Sequence, residues 1–110
     1  MTRGEIWTAA AGSGYAGKPR PVAIIQDDRF DATNSITVCA FTTDPTEAPL
    51  IRLRVEPNTL NGLREPSCLM VDKITTVLRS KLRERVGRLA GEDLVRLDRA
   101  VVVFLGLAGP

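Results

Sequence analysis

Along the chain, short apolar or alternating runs are separated by turn-forming clusters, the pattern of a small β-rich domain. Glu5–Ala9 reads as a first strand, and residues 12–19, rich in glycine and closed by Pro19, as a loop. Residues 21–26 are apolar up to Gln26, which predicts a central, buried strand. Residues 27–31 form a polar turn. Ser35–Thr42 is the next strand, with Ile36, Val38 and Ala40 on one face. Residues 51–55 alternate strictly, so Arg52 and Arg54 share the face opposite the apolar one. Residues 56–66 are a loop with Pro57-Asn58 and Asn61-Gly62 turns. Residues 67–72 predict a further strand, residues 80–82 a single helical turn, and residues 84–89 a last strand.

The period then changes. Leu94, Leu97, Val101 and Phe104 recur at three- and four-residue spacing, one face of a helix. Glu92 and Asp93 fall in its first turn, where the helix dipole favours acids. Residues 101–105 are apolar nearly all round, so this end is expected to be buried on more than one side. A small domain has little core to spare, which points to a subunit interface. Repeats and low-complexity segments are absent from the sequence.

The 110 residues predict one domain, 1–110, and 44% hydrophobic with 25% charged residues is a globular composition. The longest apolar run, residues 100–105, falls far short of a membrane span, and the acid-containing N-terminus lacks an apolar signal segment. The expected location is the cytoplasm. The absence of histidine removes Ser-His-Asp catalysis, histidine proton shuttling and nearly every common zinc site. Cys39 and Cys68 are far apart, and reduced, buried thiols are expected of them. No phosphate-cradling glycine motif is present, and no metal or cofactor is expected. The net charge of +2 is unevenly spread, with eleven of the fifteen basic residues in positions 51–110. Twelve of the fifteen are arginine, the residue suited to bidentate phosphate contacts and to stacking on bases.

Three polar features adjoin apolar strands. In Lys18-Pro19-Arg20-Pro21 the flanking prolines stiffen the backbone and place Arg20 at a strand edge. Thr42-Thr43-Asp44 closes an apolar strand. Asp72-Lys73-Ile74-Thr75-Thr76 reads by itself as solvated turn residues.

Gly4-Glu5-Ile6-Trp7 followed by Gly17-Lys18-Pro19-Arg20-Pro21-Val22-Ala23-Ile24-Ile25-Gln26 resembles the opening of the MazF/PemK toxins. The strand ending in Thr42, the segment from Asn61-Gly62-Leu63 to Ser67-Cys68-Leu69-Met70-Val71-Asp72, and Gly87-Arg88-Leu89 with the terminal helix match in the same order. The resemblance spans nearly the whole chain. It implies an SH3-like β-barrel with a C-terminal helix, a homodimer, metal-independent cleavage of single-stranded RNA, and a neutralising antitoxin. The family's catalytic arginine falls on Arg20 and its catalytic threonine on Thr42. Some members use an Arg-x-Asp pair, of which Asp72 matches the acid while Met70 stands at the arginine position. An acid that some members carry before the catalytic arginine has no counterpart in Tyr15-Ala16-Gly17-Lys18.

The residues suit that chemistry. RNA carries its own nucleophile, the 2′-hydroxyl, so an enzyme needs to align it and stabilise the developing charge. Arg20 can hold phosphate oxygens in a bidentate contact and Thr42 can donate a hydroxyl hydrogen bond. Asp72 is the candidate general base. Tyr15, Lys18, Arg29, Phe30, Lys73 and Thr75 are candidates for holding RNA, the aromatic and arginine planes by stacking on bases. An acidic segment of the antitoxin is expected to dock on the basic stretch of residues 79–88, or on Arg52 and Arg54. The alternative is a CcdB-like gyrase poison, a protein-binding toxin on the same barrel that has no need of Arg20 or Thr42.

Overall fold

The computed structural model describes residues 1–10 and 19–109. Seven strands precede one helix: β1 Glu5–Ala9, β2 Arg20–Ile24, β3 Ser35–Thr42, β4 Arg52–Val55, β5 Ser67–Met70, β6 Thr75–Leu78, β7 Leu82–Arg88 and α1 Gly91–Phe104. The strands form one antiparallel sheet in the order β4-β5-β3-β2-β1-β7, with β6 also paired to β3. Among the described residues β4 and β7 do not pair, so the barrel-like sheet is not closed. It nevertheless curls on itself. Leu53 and Val55 from one end of the strand order share a buried cluster with Ile6 and Leu89 from the other. Leu97 of α1 plugs the same cluster. On the opposite face Val22, Ile24, Ile36, Val38 and Leu82 make a second, smaller core.

The β-rich α+β expectation holds, and the differences from the expected elements have local causes. Strand β2 ends at Ile24, before Gln26. The Gln26 side chain replaces the ladder there: its Oε1 accepts from Thr37 N (3.1 Å) and its Nε2 donates to the Phe30 carbonyl (2.8 Å). The polar turn contains one turn of 3-10 helix, Asp28–Phe30, capped by the Asp27 carboxylate on Arg29 N (2.9 Å). Strand β5 stops at Met70, and Val71–Lys73 is another 3-10 turn, so Asp72 is not on a strand as expected. The following threonines are not simple turn residues either. They open β6, where Thr75 pairs with Val38 and Thr76 with Thr37, the two threonine hydroxyls of the latter pair lying 2.7 Å apart. The expected helical turn near residue 80 is a 3-10 turn at Arg79–Lys81, and β7 begins directly after it.

Helix α1 lies over the main core through Leu97, with Leu94 and Val101 packed beside it. Two arginines tie it down: Arg96 Nη1 donates to the Arg54 carbonyl (3.0 Å), and Arg3, itself bonded to the Ile25 carbonyl through Nε (3.0 Å), pairs with Asp98. The apolar end is not buried within the chain. Val102, Val103, Phe104 and Leu105 are each at least 40% exposed, so the chain's own core does not supply the burial expected on more than one side. No helix among the described residues is long and apolar enough to cross a membrane.

The long loop between β4 and β5 is held by Asn61, which is fully buried. Its Oδ1 accepts from Asn58 N (3.1 Å) and Leu63 N (3.0 Å), and its Nδ2 donates to the Glu56 carbonyl (2.9 Å). The loop then lies against β7 at Gly87, where any Cβ would meet the Leu60 carbonyl oxygen at 2.4 Å. Gly62, at φ +66°, turns the chain away again in a conformation other residues rarely adopt. Replacing Asn61 by alanine takes the side-chain partner from Asn58 N, the Glu56 carbonyl and the buried Leu63 N. Asn61→Ala is expected to cost about 3 kcal/mol, read from urea unfolding at neutral pH; a loss below about 1 kcal/mol refutes this role.

Glu5 braces the start of β1. It accepts from Thr2 N (2.9 Å) and Trp7 Nε1 (3.0 Å) and pairs with Arg85 (3.1 Å). Burial alone raises the pKa of the Glu5 carboxyl, but the hydrogen bonds from Thr2 and Trp7 and the Arg85 charge outweigh it and hold it below the usual value. The folded form therefore binds this proton less tightly than the unfolded form. The resulting stability is present above about pH 4.3 and is lost as pH falls through the lowered folded value. Glu5→Gln is expected to destabilise the protein at pH 7, with the gap to wild type narrowing towards pH 3. A gap constant with pH refutes it.

Candidate active site

Four strands bring the principal residues into line. Val22 of β2 faces Ala40 of β3. Carried two residues further, that register sets Arg20 level with Thr42. Thr42 in turn faces Cys68 of β5, and Cys68 faces Arg54 of β4. Because side chains alternate along strands, these residues share one side of the sheet. Arg20 and Arg54 end a row three strand spacings wide, about 14 Å between backbones. Thr42 lies within the row. Its Oγ1 accepts from Asp44 N (3.2 Å), which fixes the hydroxyl oxygen and leaves the hydroxyl proton to donate.

The segment after β3 folds back over this row. It leaves two adjoining hollows of about 270 and 240 Å³, which share Thr46, Ala48 and Arg52 in their walls. Thr42, Met70 and Lys73 line the smaller one. Thus Thr42 and Lys73, picked out in the sequence, line one hollow, and Arg20 stands level with Thr42 on the neighbouring strand. Asp44, also in this wall, is turned onto Thr46, accepting from its backbone N (2.9 Å) and its hydroxyl (2.7 Å).

Asp72 reaches the same corner with a partner the sequence did not assign to it. Arg52 faces Met70 across the β4–β5 ladder, and its Nη1 donates to the Asp72 carboxylate. Both side chains are largely buried, at 16% and 24% exposure. The hydrogen bond from Arg52 holds the Asp72 carboxyl below the usual carboxylate range, despite some opposing desolvation. A carboxylate so held is a weaker proton acceptor. The signal for this pair was divided between two segments. Strict alternation put Arg52 on the polar face, but only the β4–β5 register shows which acid it meets.

The remaining candidates separate. Tyr15 and Lys18 lie outside the described residues. Arg29 and Phe30 sit in the β2–β3 connection, at the far end of that hairpin from Thr42. The seven residue steps of β3 between the two ends span roughly 23 Å. There Arg29 pairs with Asp27 (3.1 Å) and lies 5.9 Å from the Phe30 ring centre, so it is engaged locally. Thr75, at the start of β6, is exposed and faces Val38, four positions along β3 from Thr42. The cysteines are both free, but they are not alike. Cys39 is fully buried, as expected, and donates through Sγ to the Met70 carbonyl (3.4 Å). Burial, aided by the Asp72 charge, pushes its thiol up to about 12. Cys68 is only half-buried and lines the larger hollow, which corrects the expectation that both are buried.

Comparison with known proteins agrees with this fold. The family model described as PemK-like, MazF-like toxin of type II toxin-antitoxin system matches residues 2–105. A probable endoribonuclease MazF of Mycolicibacterium smegmatis is 64% identical over 109 residues, covering 99% of this chain and 100% of that protein. Endoribonuclease MazF9 of Mycobacterium tuberculosis is 28% identical, over 97% of this chain and 98% of its own. Among solved structures, a mycobacterial endoribonuclease in complex with its cognate antitoxin superimposes with a TM-score of 0.79 at 21% identity, covering 100% of this chain and 99% of that one. The Mycobacterium tuberculosis toxin MazF-mt6 does so with a TM-score of 0.77 at 24% identity, over 92% and 95%. With the family model matched from end to end of the sheet and helix, the chain belongs to the PemK-like, MazF-like toxins of type II toxin-antitoxin systems.

Proposed function

We propose that this chain is the endoribonuclease toxin of its toxin–antitoxin pair and that it cleaves single-stranded RNA without a metal. The observation that supports the reading is the β2–β3 register, which carried two residues further sets Arg20 level with Thr42, itself in the wall of an open cleft. In this mechanism Arg20 contacts the non-bridging oxygens of the scissile phosphate and Thr42 donates its hydroxyl proton to the same group. Both stabilise charge that grows as the 2′-hydroxyl attacks phosphorus. As the bond from the 2′ oxygen to phosphorus forms, the 2′-hydroxyl proton passes to water; the bond to the 5′ oxygen breaks and that oxygen takes a proton from water, giving a 2′,3′-cyclic phosphate and a 5′-hydroxyl end. Lys73 adds positive charge where the strand enters the cleft. Asp72 serves through its bond to Arg52, which supports a positioning role over that of proton acceptor.

The names of the relatives fit this reading, and the gyrase-poison alternative is not favoured by them. Residues 1–110 act as one toxin domain in the cytoplasm. The exposed apolar end of α1 supports a homodimer, since a lone chain leaves that surface in water. The cognate antitoxin is expected to present an acidic segment to the basic surface and so block RNA.

The test is incubation of the purified protein with a long single-stranded RNA in EDTA, followed by mapping of the ends. Discrete cuts with cyclic-phosphate and 5′-hydroxyl termini are expected. Arg20→Ala and Thr42→Ala are each expected to lower kcat about 10²–10³-fold with the fold intact. Intact RNA together with growth arrest that persists in Arg20→Ala refutes the nuclease reading and makes gyrase the next target.

A further inference from the structure

We propose that Arg52 is a second phosphate clamp, holding the RNA phosphate next to the scissile one, with Asp72 as its positioning residue. This rests on the ribonuclease reading above and goes beyond it by placing a subsite in the cleft under the segment that follows β3.

Arginine has five N–H groups, and bidentate contacts to phosphate use two that lie on one edge. Both side-chain hydrogen bonds that Arg52 makes among the described residues leave from Nη1, one to the Asp72 carboxylate and one to the Ile51 carbonyl (3.2 Å). The Nε–Nη2 edge is left without a partner among the described residues. The group is thus held at one corner and open along the edge that matches a phosphate. At 16% exposure its side chain has already lost most of its freedom, so little further entropy is lost on binding. Arg54, two residues away on the same face, is the contrast. It is 60% exposed, and its Nε is engaged by Glu56 (2.8 Å).

Position supports the same assignment. Arg52 lies in the wall shared by both hollows, and the smaller of these also has Thr42 in its wall. Arg20 approaches Thr42 from the β2 side, while Arg52 stands on the β4 side. A strand of RNA crossing β2, β3, β5 and β4 therefore meets one guanidinium on either side of the threonine. Met70, the cross-strand partner of Arg52, is apolar and offers phosphate no contact. Thr46, also in both hollows, has its hydroxyl turned to Asp44, which keeps that carboxylate occupied.

The probe is an oligoribonucleotide spanning a cut mapped on the long RNA, with a version carrying a 2′-deoxy sugar at the cut so that binding is read without cleavage. Arg52→Ala is expected to raise KM and the Kd of the deoxy probe by roughly 10–100-fold, with a smaller change in kcat. The slope of log affinity against log salt is expected to flatten by about 0.7, one phosphate contact on a single strand. The pattern of cut sites should be unchanged. Because Arg52→Ala strands a largely buried carboxylate, the double variant Arg52→Met, Asp72→Asn is measured beside it and should show the same loss and slope. An unaltered salt slope and Kd in a folded variant overturn the proposal. So does a changed cut sequence at equal affinity, which assigns Arg52 to reading a base. Failure of the wild-type protein to bind or cut RNA instead overturns the ribonuclease reading itself.

Discussion

Strand β3 is bonded along both edges, and its register with its neighbours is what the rest of the molecule depends on. On one edge it meets β2, and on the other β5 near its end and β6 near its start. A slip of one residue against β2 reverses which side chains face the main core. It turns Cys39 and Phe41 out of the main core, turns Thr42 into it, and separates the hydroxyl from Arg20. The two cores on opposite faces of the sheet therefore fix the candidate site indirectly: each penalises the slip that would part Arg20 from Thr42.

On the β5–β6 edge the chain does not run straight. Thr42 faces Cys68, while Val38 faces Thr75, so three extra residues are accommodated between the two ladders. They are Val71–Lys73, the 3-10 turn. Val71 points into the core and is fully buried, whereas Asp72 and Lys73 stay outside it. The interruption lets one edge carry both a hydrophobic anchor and two charges at the mouth of the cleft. An unbroken strand would have placed Asp72 and Lys73 on opposite faces.

Much of this was legible in the sequence, and the parts that were not have physical reasons. Strands β1 and β3 were read with their observed limits, because alternation bounded by Gly, Pro or Asp is a local signal. Arg20 and Thr42 were singled out through family resemblance; residue spacing alone does not distinguish Arg20 from a surface arginine. Strand β6 escaped because Thr75 and Thr76 are exposed on the outer edge, where no apolar periodicity marks them. The Arg52–Asp72 pair escaped because two residues twenty positions apart meet only through the β4–β5 ladder. Arg29 and Phe30 have the composition of an RNA contact, yet the hairpin carries them to the opposite end. Composition is blind to which end of a hairpin a turn occupies.

The two cysteines differ in a way that reaches beyond structure. Cys39 is sealed in the core with a thiol pushed up to about 12, so it stays protonated and inert at neutral pH. Cys68 is half-buried in the row between Thr42 and Arg54 and lines the cleft. The chain as nature made it thus offers thiol-reactive reagents a single address, on the floor of the region where RNA is proposed to lie. A small environment-sensitive dye attached there becomes a reporter of occupancy without any engineered residue, and a bulky one becomes a plug.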